Sequence, residues 1–159
     1  MNLEIERKFL IINNEFKKVS FKRKYIIQGY LNSNKNRVVR IRIIDNKAYL
    51  TVKGISDENG VKRFEWEKEI SLKEAKELME LCEKGIIEKY RYYHRYEDHL
   101  FEIDEFLGMS KGLCVAEVEL KHENEFFQKP SYLGKEVTGE KKYYNSNLTK
   151  FPFNEWEKA

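Results

Sequence analysis

Residues 3–11 read Leu3-Glu4-Ile5-Glu6-Arg7-Lys8-Phe9-Leu10-Ile11, an alternation of apolar and charged side chains. Leu3, Ile5, Phe9 and Ile11 share one face, Glu4, Glu6 and Lys8 share the other, and Arg7 interrupts the apolar side. A repeat of two residues is that of a β-strand, whose successive side chains leave on opposite faces. A strand with one apolar and one charged face fits an antiparallel sheet whose two sides meet different surroundings.

The same alternation recurs along the chain. In residues 24–31, Lys24, Gln28 and Tyr30 oppose Tyr25, Ile27 and Leu31; in 38–44, Arg40 and Arg42 oppose Val39, Ile41 and Ile43. Asp45-Asn46-Lys47 reads as a hairpin turn into a strand over 48–53. In 63–70, Arg63, Glu65, Glu67 and Glu69 oppose Phe64, Trp66 and Ile70. Strands follow over 89–96, over 100–106 with Glu102 and Asp104 on the polar side, and over 114–121 with Glu117 and Glu119. One helix interrupts the series: Ser71-Leu72-Lys73-Glu74 is a capping box, and Leu72, Ala75, Leu78, Met79 and Cys82 make a helical stripe ending near Gly85. The tail after Pro130 reads as partly helical, with Tyr143, Tyr144 and Leu148 packing on the sheet.

The composition narrows the functions on offer. Of the 159 residues 36% are charged, yet the net charge is only +3, so the excess has both signs and does not suit a nucleic-acid binder. The first ten residues lack the apolar run of a signal peptide, and no stretch approaches the roughly 20 apolar residues of a membrane span. Cys82 and Cys114 are too few for a disulfide framework or a thiolate zinc site. One cytoplasmic domain over residues 1–159 is expected. His94, His99 and His122 match no ligand spacing, and Asn147-Leu148-Thr149 reads as a chance glycosylation pattern. The basic run Lys17, Lys18, Lys22, Arg23 and Lys24 is explained by solubility or by attraction of an anionic substrate.

Two arrangements accommodate strands of this kind. Either the charged face looks into water, or the sheet rolls up with the charged face inside and helices on the apolar outside. Clustering of Arg40 with Arg42, of Glu4 with Glu6, and of Glu117 with Glu119 favours the second. Buried charge is costly without partners, and a polyphosphate with a hard divalent cation satisfies both signs, since arginine grips phosphate and carboxylates hold magnesium or manganese.

Glu4-x-Glu6-x-Lys8 resembles the signature of the CYTH superfamily, the triphosphate tunnel metalloenzymes. The family's further motifs follow in order: Gln28-Gly29-Tyr30-Leu31, Arg40-x-Arg42, Thr51-Val52-Lys53-Gly54, Arg63-x-Glu65-x-Glu67, Lys89-x-Arg91, Glu102-Ile103-Asp104-Glu105-Phe106, Glu117-Val118-Glu119 and Glu136-Val137-Thr138 with Tyr143. The resemblance covers nearly the whole chain. It implies a mainly β (α+β) fold, a closed antiparallel eight-stranded tunnel barrel with a charged lumen and helices outside, as a single CYTH domain. It also implies that Lys8, Arg40, Arg42, Lys53, Arg63, Lys89 and Arg91 hold the substrate. Glu4, Glu6, Glu117 and Glu119 then hold Mg2+ or Mn2+, with Asp104, Glu65 and Glu67 as further ligands. Lys8, Tyr30 and Lys89 are the implied catalytic residues. Glu140 and Lys142 stand where relatives often carry Asp and Arg, so Lys142 receives no role.

The implied activity is metal-dependent hydrolysis of a small triphosphate, foremost inorganic triphosphate to phosphate and diphosphate. The alternatives are thiamine triphosphate hydrolysis, a class IV type adenylate cyclase, and a non-catalytic polyphosphate or nucleotide sensor. Four carboxylates in metal positions weigh against a sensor. The sequence shows no adenine-pocket motif and no His-Phe pair ahead of the first strand, which places the cyclase second. The expected partner is a small-molecule triphosphate, with no nucleic acid or membrane, and a homodimer remains open.

Overall fold

A computed structural model describes residues 3–156; the outermost positions of the expected 1–159 domain lie outside the described residues. Alternation produces strands where the sequence requires them: β1 (Leu3–Ile11), β2 (Lys22–Asn32), β3 (Arg37–Ile44), β4 (Lys47–Ser56), β5 (Lys62–Ile70), β6 (Ile87–Tyr96), β7 (His99–Phe106) and β8 (Cys114–Glu119). They pair in the order β5-β4-β3-β2-β6-β7-β8-β1, and β1 pairs in turn with β5, closing the sheet on itself. The expected eight-stranded antiparallel barrel is the observed one.

A ninth strand was not anticipated. Beyond Ile5, β5 leaves the edge of β1, and β9 (Leu133–Glu136) takes it over, with Phe9 opposite Glu136 and Ile11 opposite Leu133. An uncovered edge would leave unpaired backbone groups, so the tail supplies a short strand before it supplies any helix. The tail's helix, α3 (Asn145–Leu148), comes only after this strand. Another short helix, α1 (Glu15–Val19), also escaped the sequence reading, because five residues are too few to display a helical period.

Helix α2 (Leu72–Met79) forms where the capping box required: Ser71 Oγ accepts from the Glu74 backbone at 3.0 Å, and the Glu74 carboxylate accepts from the Ser71 backbone at 3.1 Å. It ends at Met79, short of Gly85.

The apolar strand face is the outer one, and three clusters bury it or seal the barrel. Phe9, Phe101, Ile103 and Val118 are covered by Phe16 of α1 and by Phe127 and Tyr132 of the strap after β8. Ile41, Ala48 and Leu50 are covered by Ala75, Leu78 and Met79 of α2. The third cluster lies at one end of the lumen. Ile87 and Phe106 share the strand faces of Lys89 and Asp104, and they pack with Val115, Val137, Tyr143 and Leu148. The C-terminal segment therefore forms an apolar floor under a charged chamber.

Candidate active site

The inward faces of the barrel enclose a cavity of about 370 Å³. Seven cationic side chains line it, Lys8, Arg40, Arg42, Lys53, Arg63, Lys89 and Arg91, along with seven carboxylates, Glu4, Glu6, Glu65, Glu67, Glu102, Glu117 and Glu119. Strand order sorts them by sign. Neighbours β8, β1 and β5 carry most of the carboxylates, while β4, β3 and β6 carry most of the cations. The chamber thus has an acidic wall and a basic wall.

On the basic wall, the cations are held without all being neutralised. Arg40 reaches Thr51 Oγ1 at 3.2 Å and the Glu67 carboxylate at 3.6 Å, but its Nε is buried with no hydrogen-bond partner. An orphaned guanidinium N–H is costly, and an anion entering the cavity would satisfy it. Arg42 donates from Nε to Gln28 at 2.8 Å. Burial, and then repulsion from Arg40 and Arg91, pulls the Arg42 pKa down to about 9. Lys89 is pulled well below its ordinary value, by burial first and then by Arg91 and Arg42, despite the carboxylate of Asp104 at 2.7 Å. Both groups gain by acquiring further negative charge.

Asp104 lies beneath the basic wall. It is fully buried and absent from the cavity wall, and its two oxygens take Lys89 at 2.7 Å and a two-pronged grip from Arg91 at 2.7 and 2.9 Å. Although burial pushes its carboxyl up, Arg91 and Lys89 outweigh that and hold it at about 2. Glu102, two residues earlier on the same strand face, is on the wall instead, 3.3 Å from Arg91. Parity alone cannot separate the two, because both point inward and only their depth differs.

The acidic wall consists of carboxylates crowded against one another. Burial and then the neighbouring Glu4 carboxylate raise Glu65 to about 7. Glu4 is pushed up by burial but pulled lower by Lys53, 3.1 Å away, and settles at about 2. Glu6 is raised well above the usual range by burial and by Glu117 and Glu4, whereas Glu117, also buried, is held low by Lys8 and Arg91. Burial and repulsion from Glu4 and Glu102 raise Glu119 as well.

These residues fit a divalent cation in kind. The donors are all carboxylate oxygens, which suit hard Mg2+ or Mn2+, and the mutual repulsion that, after burial, raises Glu6 and Glu65 is what a bound cation would relieve. Among the described residues no three of them converge on one point, since Glu4 and Glu117 turn to Lys53 and Lys8.

Several wall residues carry no charge. Tyr93 and Tyr49 extend the polar faces of β6 and β4, and parity would have found them. Thr138, Gly139, Tyr144, Asn145 and Ser146 come from the C-terminal segment and required the tertiary fold. Thr138 is placed by a chain of contacts: Arg7 grips Glu136, Glu136 accepts from Thr138 Oγ1 at 2.7 Å, and that oxygen accepts from the Lys8 backbone at 2.9 Å. Arg7, the interruption of the apolar face of β1, therefore anchors β9. Away from the cavity, His94 bonds Tyr132, His99 bonds Glu125, and Lys142 lies over the Trp156 ring, all structural roles. Both cysteines are free.

A closed barrel with an acidic wall facing a basic wall defines a class of protein that encloses a small, highly charged anion. The chain belongs to the CYTH family, whose domain model matches residues 2–152. It is 46% identical to an inorganic triphosphatase of Acetivibrio thermocellus over 99% of each chain. An inorganic triphosphatase of Nitrosomonas europaea is 34% identical over 91% of this chain and 95% of its own. The crystal structure of the inorganic triphosphatase NE1496 superposes with a TM-score of 0.62 at 30% identity, covering 94% of this chain and 95% of that one. No described helix is long and apolar enough to cross a membrane.

Proposed function

We propose that this chain is a metal-dependent inorganic triphosphatase that cleaves triphosphate to phosphate and diphosphate, in the cytoplasm. The observation that carries the reading is the two-signed chamber, in which the basic wall keeps an unpartnered Arg40 Nε and the acidic wall gathers Glu4, Glu6, Glu65, Glu67, Glu117 and Glu119. The 46% identity to an inorganic triphosphatase over the full chain supports the same reading.

Lys8, Arg40, Arg42, Lys53, Arg63, Lys89 and Arg91 hold the triphosphate oxygens, with guanidinium groups giving two-pronged contacts. Glu4, Glu6, Glu117 and Glu119, assisted by Glu65 and Glu67, would hold Mg2+ or Mn2+, which supplies charge to polarise phosphate oxygens and to acidify water. Water attacks a terminal phosphorus in line with the departing diphosphate. Charge grows on the leaving oxygen, where the preset ammonium groups of Lys8 and Lys89 stabilise it without having to move. Tyr30 stands with them as a polar group on the wall. Asp104 serves by orienting Lys89 and Arg91 from beneath.

Purified protein incubated separately with inorganic triphosphate and with ATP, with Mg2+ or Mn2+ and with chelator, tests this. Phosphate plus diphosphate from triphosphate, lost on chelation and faster than any release from ATP, is the expected outcome. Cyclic AMP from ATP would move the protein to the cyclase class, and tight binding without turnover would make it a sensor.

A further inference from the structure

Two neutral amides join the cations of the basic wall. Gln28 is fully buried behind the wall, opposite Arg42 on β3 and Ile87 on β6. Its Oε1 accepts from Arg42 Nε at 2.8 Å, and its Nε2 donates to the Tyr30 hydroxyl at 3.1 Å and to Asn145 Oδ1 at 2.9 Å. Asn145 Oδ1 also accepts from Lys89 Nζ at 2.7 Å. The chain Arg42–Gln28–Asn145–Lys89 thus links three strand-borne groups of the wall, Arg42, Tyr30 and Lys89, to a residue of the C-terminal segment.

The uncharged character of these acceptors matters. An ammonium has three N–H donors; Lys89 gives one to Asp104 and one to Asn145, and retains its full charge against the second. A carboxylate in place of Asn145 would accept the same hydrogen bonds but would neutralise the cation that the cavity offers to an anion, and one in place of Gln28 would also lose the N–H that Asn145 Oδ1 accepts. A hydrophobic side chain at position 28 would take away the partner of Arg42 Nε, and one at 145 would leave Lys89 oriented by Asp104 alone.

We propose that Asn145, together with Gln28, is a positioning residue for triphosphate binding: it fixes Lys89 and Arg42 by hydrogen bonds that leave their charge available, so the basic wall is complete only with the C-terminal segment docked. This inference rests on the triphosphatase reading. It differs from that reading in assigning a role to residues that are neither cationic nor acidic.

The test compares Asn145→Asp, Asn145→Ala and Gln28→Glu with the unaltered protein. The measurements are calorimetric binding of inorganic triphosphate without metal, KM and kcat with Mg2+, and thermal melting. Asn145→Asp should melt no lower than the unaltered protein, yet bind triphosphate about tenfold or more weakly, as expected when one hydrogen-bonded cation is compensated internally. Its KM should rise more than its kcat falls; Gln28→Glu, which also gives up the N–H that Asn145 accepts, should lose affinity at temperatures where it remains fully folded. Asn145→Ala should lose affinity at temperatures where it remains fully folded. Affinity and KM within twofold of normal in Asn145→Asp would overturn the proposal, as would losses in all three variants that follow their melting temperatures. Should the unaltered protein itself neither bind nor cleave triphosphate, the functional reading falls; an active unaltered protein with an indifferent Asn145→Asp sinks this inference alone.

Discussion

At the scale of single residues, the acidic wall makes the sharpest predictions. Glu4 and Glu119 both line the cavity, and replacing either by Ala should abolish metal-dependent turnover while circular dichroism still reports the folded barrel; near-normal activity would remove them from the metal set. Glu65 gives the pH dependence. Its folded pKa of about 7 lies above the ordinary value of 4.5, so between those values the folded state binds more protons than the unfolded one, and stability declines as pH rises through that window. In chelated protein the Glu65 contribution should therefore fall from pH 4.5 to 7, and Glu65→Gln should flatten the slope. If melting of the two proteins is parallel across this range, Glu65 is not the group whose pKa is raised. Asp104, held at about 2 by Arg91 and Lys89, has the opposite sign: its stabilisation is full above its ordinary value near 3.8 and is lost as pH falls toward 2.

At the scale of elements, the tail does more than cap a core. β9 pairs with the half of β1 that β5 leaves, and the Arg7–Glu136–Thr138 chain ties that strand to the backbone of Lys8. Arg7→Leu should cost about 1–3 kcal/mol, the range for losing hydrogen bonds between charged groups, and should lower Tm by roughly 2–4 °C per kcal/mol in a domain of this size. The hairpin between β4 and β5 meets the turn after β9 at two glycines. Gly60, at φ 72°, would place a Cβ 2.4 Å from the Cα of Gly139, which is itself at φ 79°. Backbone cannot yield as a flexible side chain can, so Gly60→Ala should destabilise by about 1–3 kcal/mol from overpacking and left-handed strain. An unchanged melting curve would show that these loops separate easily.

At the scale of the whole molecule, the barrel confines two opposed sets of charges in one chamber, and each set lowers the cost of burying the other. The protein should therefore be stabilised by its ligand. At a hundredfold excess over Kd, inorganic triphosphate should add about 2.7 kcal/mol to folding stability by mass action, visible as a raised Tm. Sulfate, with fewer oxygens to offer the Arg40, Arg42 and Arg91 guanidinium groups, should add less at equal concentration. An equal rise with both anions would mean that the chamber reads charge alone.

The sequence by itself determined the strands, their inward and outward faces, and most of the charged wall, because a side-chain period of two is written locally and survives any tertiary arrangement. Glu4, Arg40, Glu65 and Glu117 were legible for that reason, and Lys53 and Lys89 through the family's motifs. Depth along the tunnel was not legible: Glu102 and Asp104 have the same parity, yet one meets the cavity and the other lies beneath two cations. Nor was the origin of Thr138, Tyr144 and Asn145, which reach the chamber from a segment far along the chain with no periodic pattern of its own. Only closure of the barrel decided these matters, because distance between residues remote in sequence depends on which edges pair and which end the tail plugs.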